Sequence, residues 1–338
     1  MTDSTKFQFQ WPFFGNQHII DFLQASIENK QLANCYIFSG LSDIGKSTVA
    51  RHFSASLLCQ NFNKQQGTLP CQECANCQQT NVNRHSDINI LEQETGKKNI
   101  SIEQVREFIR IMQLGTFTGD YKIGIIKEAE KLSQQASNAL LKILEEPRKK
   151  TVIILLTSTI DHLPKTIISR AQVLKFRPAP TVAINDYLVE KYNSPRELAR
   201  GLARLSVGRP VRAVKLLENK DFLAEIKNIT EMILNIMSAR LDEKLRLSNE
   251  LLSAHKGVEL RQQTELILTS WQTVIRDAIL LVYGLENLTV NESSTEKIKQ
   301  LSLPISHLIQ FDAQLKKSRR YLNASVNPQL VIEQLCYI

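Results

Sequence analysis

No stretch of this 338-residue chain carries the roughly 18 uninterrupted apolar residues that a membrane-crossing helix needs. The opening residues, MTDSTKFQFQWPFF, lack a basic segment followed by an apolar core, which argues against a secretory signal. The sequence therefore predicts a cytoplasmic protein with no membrane partner. It also lacks internal repeats and low-complexity tracts, so repeat solenoids and biased linkers are excluded. Cysteines are few and unevenly spread. Of six, Cys35 and Cys336 stand apart, while Cys59, Cys71, Cys74 and Cys77 crowd together. In a reducing cytoplasm such a cluster reads as metal ligands rather than disulfides.

The length exceeds what one core usually holds and points to two or three domains. Composition is ordinary for a globular chain, 43% hydrophobic and 22% charged. The net charge of +8 is compatible with nucleic-acid work but also common in proteins that never touch DNA.

The first half alternates short apolar runs with amphipathic ones. CYIFS (35–39), INIL (88–91), KIGII (122–126), VIILLT (152–157) and QVLKF (172–176) read as strands. ARHFSASLLC reads as a helix. A second helix opens at Ser101, with Gln104 three residues on as a capping box and Ile102, Val105, Phe108, Ile109 and Met112 on one face. SQQASNALLKILEE (133–146) forms a third, stopped by Pro147. Strands alternating with helices imply right-handed βαβ units and a mostly parallel sheet. The pattern ends near RPAPTV (177–182). Beyond it no strand is evident: short helices run to about 219 and longer ones follow, with NESSTEK (291–297) as a polar loop.

Three motifs carry chemistry. Gly40-Leu-Ser-Asp-Ile-Gly45-Lys46-Ser47-Thr48 matches the P-loop pattern in full and lies between a strand and a helix. The glycines let backbone N–H groups turn toward a phosphate, and the helix N-terminus adds partial positive charge. Lys46 would reach the outer phosphates of ATP or ADP, and Ser47 would offer its hydroxyl to Mg2+. Cys59, Cys71, Cys74 and Cys77 supply four thiolates, enough for one tetrahedral Zn2+ with no open position, hence a structural site. Ser169-Arg170 ends the segment LPKTIISR; a lone arginine is usually solvated or salt-bridged, but in a P-loop protein it can act as an arginine finger on a neighbouring subunit's γ-phosphate.

IGIIKEAE (123–130) has the form of a catalytic strand end, yet Lys127 stands where a magnesium-supporting aspartate is expected, with Glu128 after it. An ammonium cannot take part in octahedral magnesium coordination. Exchanging that carboxylate for a positive charge should slow hydrolysis by roughly a thousandfold. The plainer reading has Lys127 in solvent or paired with Glu130.

Together these residues resemble the clamp-loader branch of the AAA+ proteins, in its bacterial DNA polymerase III form. ASNALLKILEEP is close to the family's NALLKxLEEP, and LPKTIISRAQ resembles its LPxTIxSRC motif. HSDINILEQETGKKNISIEQVREF, the cysteine insertion after the P-loop helix and the tail NASVNPQLVIEQL also match. The resemblance implies an α/β P-loop (RecA-like, AAA+) domain over 1–178 with a parallel sheet and a zinc insertion at 59–77. A small helical lid over 179–219 and an all-α collar over 220–338 would follow. It further implies a hetero-pentameric ring with motor and delta subunits that places a sliding clamp on primed DNA. Arg170 falls on the motif's arginine, which serves the adjacent subunit's ATP; Ala171 departs from the motif's cysteine, which does no chemistry. Thr157 falls at the sensor-1 position and Arg212 near the sensor-2 arginine. With Lys127 in place, Glu128 is a vestigial Walker B acid, and the resemblance favours a non-motor subunit. The alternatives are an ATP-hydrolysing motor subunit of the gamma/tau type, and a zinc-stabilised nucleic-acid-binding protein acting alone. The second is weakened because QNFNKQQGTLP and QECANCQQT are nearly neutral.

Overall fold

The computed structural model describes residues 7–94, 96–97, 99–117, 121–253, 255–324 and 326–337. Two units emerge, Met1–Ala183 with Gly208–Val211, and Ile184–Val207 with Arg212–Ile338.

The first unit runs β1 (Phe7–Phe9), α1 (Gln17–Glu28), β2 (Cys35–Ser39), α2 (Lys46–Leu58), α3 (Gln60–Lys64), β3 (Gly67–Leu69), α4 (Ala75–Asn81), β4 (Ile88–Leu91), α5 (Ile102–Met112), β5 (Lys122–Ile126), α6 (Gln134–Glu145), β6 (Thr151–Thr157), α7 (Lys165–Ile168) and β7 (Gln172–Lys175). Five of the strands form one parallel sheet in the order β4-β5-β6-β2-β7. Side chains alternate across it. Tyr36, Phe38, Val152, Ile154 and Leu156 face one layer with Phe53 of α2 and Leu23 of α1. Cys35, Ile37, Ile153 and Leu155 face the other, with Phe108 of α5 and Leu140 of α6. Burial on both faces explains why these strands read as near-continuous apolar runs. The layers leave little slack: a Cβ added at Gly124 would lie 2.4 Å from the Phe108 ring.

The capping box at Ser101 and Gln104 is formed as expected, Ser101 Oγ accepting from Gln104 N–H and Gln104 Oε1 from Ser101 N–H. β6 starts one residue before the sequence expectation and β7 stops one short. Two further strands were not legible in the sequence. β1 and β3 have three residues each and pair in parallel from Phe7↔Gly67 to Phe9↔Leu69. Strands that short give no readable period, and tertiary pairing makes them.

The second unit is helical: α8 (Thr181–Tyr192), α9 (Arg196–Leu205), α10 (Pro210–Glu218), α11 (Lys220–Ser238), α12 (Leu241–Ser253), α13 (Gly257–Val282), α14 (Thr295–Gln300), α15 (Ile305–Asn323) and α16 (Pro328–Glu333). The first and third of these begin in segments assigned to the first unit. No strand occurs among the described residues after β7. The core gathers around Trp271, fully buried against Phe311. The stretch 291–297, expected as a loop, is mostly helical: a 3-10 turn over Glu292–Ser294 leads into α14. Buried Asp277 explains it, since its carboxylate accepts the backbone N–H groups of Val290 and Asn291 and the Asn291 amide, and so fixes the helix start. Ile298 then buries its side chain.

Candidate functional site

Ligands of open parallel sheets bind beyond the carboxyl ends of the strands, and the P-loop lies at that edge. β2 ends at Ser39, and Gly40 N–H donates to the Thr157 carbonyl at the end of β6, 3.2 Å away. Gly40 has φ 154° and Gly45 φ 106°, and a Cβ at either would strike a neighbour: the Phe176 carbonyl at 2.8 Å, and the Phe13 ring at 2.2 Å. Only glycine serves there. Lys46 opens α2 and donates from Nζ to the Gly40 carbonyl and, at 2.8 Å, to that of Leu41. Burial brings the Lys46 ammonium down to about 8, with the carboxylates of Glu130 and then Asp43 opposing the shift. Ser47 is exposed and Thr48 half-buried on the first turn.

The loop is held from outside as well. Asn16 clamps the backbone of Arg177 with both ends of its amide, at 2.6 and 2.9 Å. Val211 N–H donates to the Asp43 carbonyl, and Ala179 N–H to that of Gly208. Arg212, the next residue, is buried in α10. Thr157 is buried, and its hydroxyl is engaged with the backbone of Thr159 at 3.1 Å.

The acids after β5 are placed in a way the string IGIIKEAE does not disclose. Lys127 does not pair with Glu130; its Nζ lies 2.8 Å from Glu92 Oε2, at the end of neighbouring β4. Glu128 has φ 49° and pairs with Lys131 at 2.9 Å on the exposed side. Glu130 is the acid that bears most on Lys46. Its Oε1 accepts from the Ser158 N–H at 3.1 Å and from the Ser158 hydroxyl. Sequence reasoning missed Glu130 and Ser158; the spacing Glu-Ala-Glu was the available signal.

The cysteines converge. The sulfurs of Cys59, Cys71, Cys74 and Cys77 all lie within 4.8 Å of one another, and those of Cys71 and Cys77 are 3.9 Å apart. A tetrahedron with zinc–sulfur bonds of about 2.3 Å has edges of about 3.8 Å, so the set fits Zn2+. The N–H groups of Cys71 and Cys74 point at the sulfurs of Cys59 and Cys71, both at 3.4 Å. The Cys59 thiol is pulled down to about 5, chiefly by the Cys77 thiol donating to it and then by backbone N–H groups. The same contact pushes Cys77 up. The two remaining cysteines play no part: both are buried, and burial pushes the Cys35 thiol up to about 12.

Arg170 sits elsewhere. It follows α7 and precedes β7 by two residues, exposed, with one guanidinium nitrogen 2.8 Å from Glu145 Oε1 and another 3.0 Å from the Thr166 carbonyl. β7 runs parallel to β2, with Gln172 beside Tyr36 and Lys175 beside Ser39. Arg170 is therefore at the amino end of the sheet and the P-loop at the carboxyl end. Four residues of strand separate Tyr36 from Gly40, about 13 Å of rise.

A family model described as DNA polymerase III, delta subunit matches residues 15–180. The delta' subunit of DNA polymerase III from Bacillus subtilis is 28% identical over 321 residues, 94% of each chain. The chain is thus similar along nearly its whole length to a DNA polymerase III delta' subunit. A second delta-prime subunit, from Pseudomonas aeruginosa, is 35% identical over 188 residues, 55% of this chain and 56% of its own. The Bacillus subtilis tau subunit is 32% identical over 170 residues, 50% of this chain but 29% of its own. Likeness to delta-prime thus extends into the helical unit in the Bacillus comparison, whereas likeness to this tau chain covers half the sequence. The segment that the family model matches contains the P-loop, the cysteine cluster and Arg170 together.

Proposed function

We propose that the chain is a non-motor subunit of the DNA polymerase III clamp loader that donates Arg170 to ATP bound by a neighbouring subunit. Its own P-loop residues Gly40, Gly45, Lys46, Ser47 and Thr48 hold ATP or ADP, with turnover absent or weak. The position of Arg170 carries this reading. An exposed arginine at the amino end of the sheet cannot extend past about 13 Å of strand to its own loop, so any phosphate it serves is held by another chain. Lys127, turned to Glu92, supports the second half: it stands where a magnesium-supporting carboxylate belongs.

In the assembly the chain joins motor and delta subunits in a hetero-pentameric ring in the cytoplasm, and the ring places a sliding clamp on primed DNA. The division of labour is a P-loop domain over 1–178, a lid over 179–219 and a collar over 220–338. Thr157 is the sensor-1 residue of this reading and Arg212 its sensor-2 residue. When bound, Zn2+ cross-links Cys59, Cys71, Cys74 and Cys77 and supplies folding energy rather than catalysis.

Reconstituted clamp loader tests the proposal. Arg170→Ala should leave ring assembly intact and lower ATP hydrolysis at the neighbouring site on the order of a thousandfold. Unchanged hydrolysis rejects the trans role. If instead the isolated chain hydrolyses ATP, faster with clamp and primed DNA, and Glu128→Gln abolishes this, the chain is a motor of the gamma/tau type.

A further inference from the structure

We propose that Glu145 is the positioning residue that aims Arg170, an inference that rests on the trans role proposed for that arginine. Glu145 is the last residue of α6, and its Oε1 is 2.8 Å from one terminal nitrogen of the Arg170 guanidinium. The other terminal nitrogen donates to the Thr166 carbonyl at 3.0 Å. The anchors hold different nitrogens of one rigid plane, so they set its orientation as well as its position.

The local energetics give Glu145 no better reason to be there. A carboxylate in the last turn of a helix opposes the macrodipole, and α6 carries Glu145 there with Glu146 immediately after. The two side chains of the pair are 37% and 49% exposed, and ion pairs that exposed add little to folding. Orientation is what the pair does provide. Arginine has many rotamers, and a finger that must order itself on docking loses that freedom at each encounter. Glu145 and the Thr166 carbonyl, with the Ser169 hydroxyl accepting at 3.4 Å from the same nitrogen as Thr166, order it beforehand and leave the N–H groups that these three do not engage for an incoming phosphate. Glu145 itself touches no nucleotide and acts through Arg170.

The test is a double-mutant cycle on the reconstituted clamp loader, reading kcat and KM for ATP at the site Arg170 serves. Glu145→Ala should lower kcat about tenfold, since part of the side-chain ordering is lost but the charge remains, with KM held. Glu145→Asp, which keeps the carboxylate, should recover part of the loss. In an Arg170→Ala background, Glu145→Ala should cost nothing further. If Glu145→Ala leaves kcat unchanged, or adds to the loss in that background, the positioning role is overturned while the trans role of Arg170 stands. If Arg170→Ala itself leaves kcat unchanged, the trans role falls and this inference with it. Thermal unfolding of the free subunit, unchanged by Glu145→Ala, separates aiming from folding.

Discussion

Gly45 and His52 show how much of the P-loop's behaviour rests on single side chains and on one missing one. Gly45 holds φ 106° with the Phe13 ring against its Cα. Gly45→Ala should destabilise the first unit by about 2–4 kcal/mol, combining left-handed backbone strain with an overpacked contact; denaturant unfolding measures it. His52 lies on α2 behind the loop, and burial first, then Arg51, brings its imidazole down to about 4 from an ordinary 6.5. The unfolded chain therefore takes up a proton at a higher pH than the folded one. The contribution is intact above about 6.5 and is lost as pH falls toward about 4. Melting temperature should drop across that window, and His52→Gln should flatten the drop.

Among the elements, the cysteine segment depends most on something outside its own sequence. α3, β3 and α4 are five, three and seven residues long, all too short to persist alone. Four sulfurs hold them together, and β3 in turn pairs with β1, while Phe62 of α3 stacks on Phe7. One zinc per chain is expected by metal analysis. Replacing Cys74 and Cys77 by serine should remove it and raise hydrogen exchange across 59–81 and in β1, with β2 and β6 still protected. Unchanged exchange in β1 would show that the pairing stands without the metal.

At the scale of the molecule, the cores of the two units share no residue, one built on the sheet and the other around Trp271. Two separate cores favour two unfolding steps. The tryptophans report them separately, since Trp11 packs in the first unit and Trp271 in the second. A zinc chelator should lower the Trp11 transition and leave the Trp271 transition in place. A single step that moves as a whole with chelation would mean the units unfold as one.

The P-loop, the cysteine set, the capping box and the five sheet strands were all legible in the sequence, because each is governed by local chemistry: a glycine where only glycine fits, thiols in one cluster, a serine three residues before a glutamine, and apolar runs that in the three central strands are buried on both faces. The strands β1 and β3 were not, since their pairing partners lie about sixty residues apart. Nor was the helical start at 291–297, which Asp277 fixes from another helix. The acids after β5 show the division most clearly. By itself the sequence determined that a lysine, Lys127, stands after β5 where a magnesium-supporting aspartate was expected. Only the tertiary structure decided that Lys127 turns to Glu92 and that Glu130 bears on Lys46. It also put Arg170 beside Glu145 at the far end of the sheet from the P-loop. Side-chain direction and charge pairing depend on neighbours that folding brings together, and no spacing along the chain encodes them.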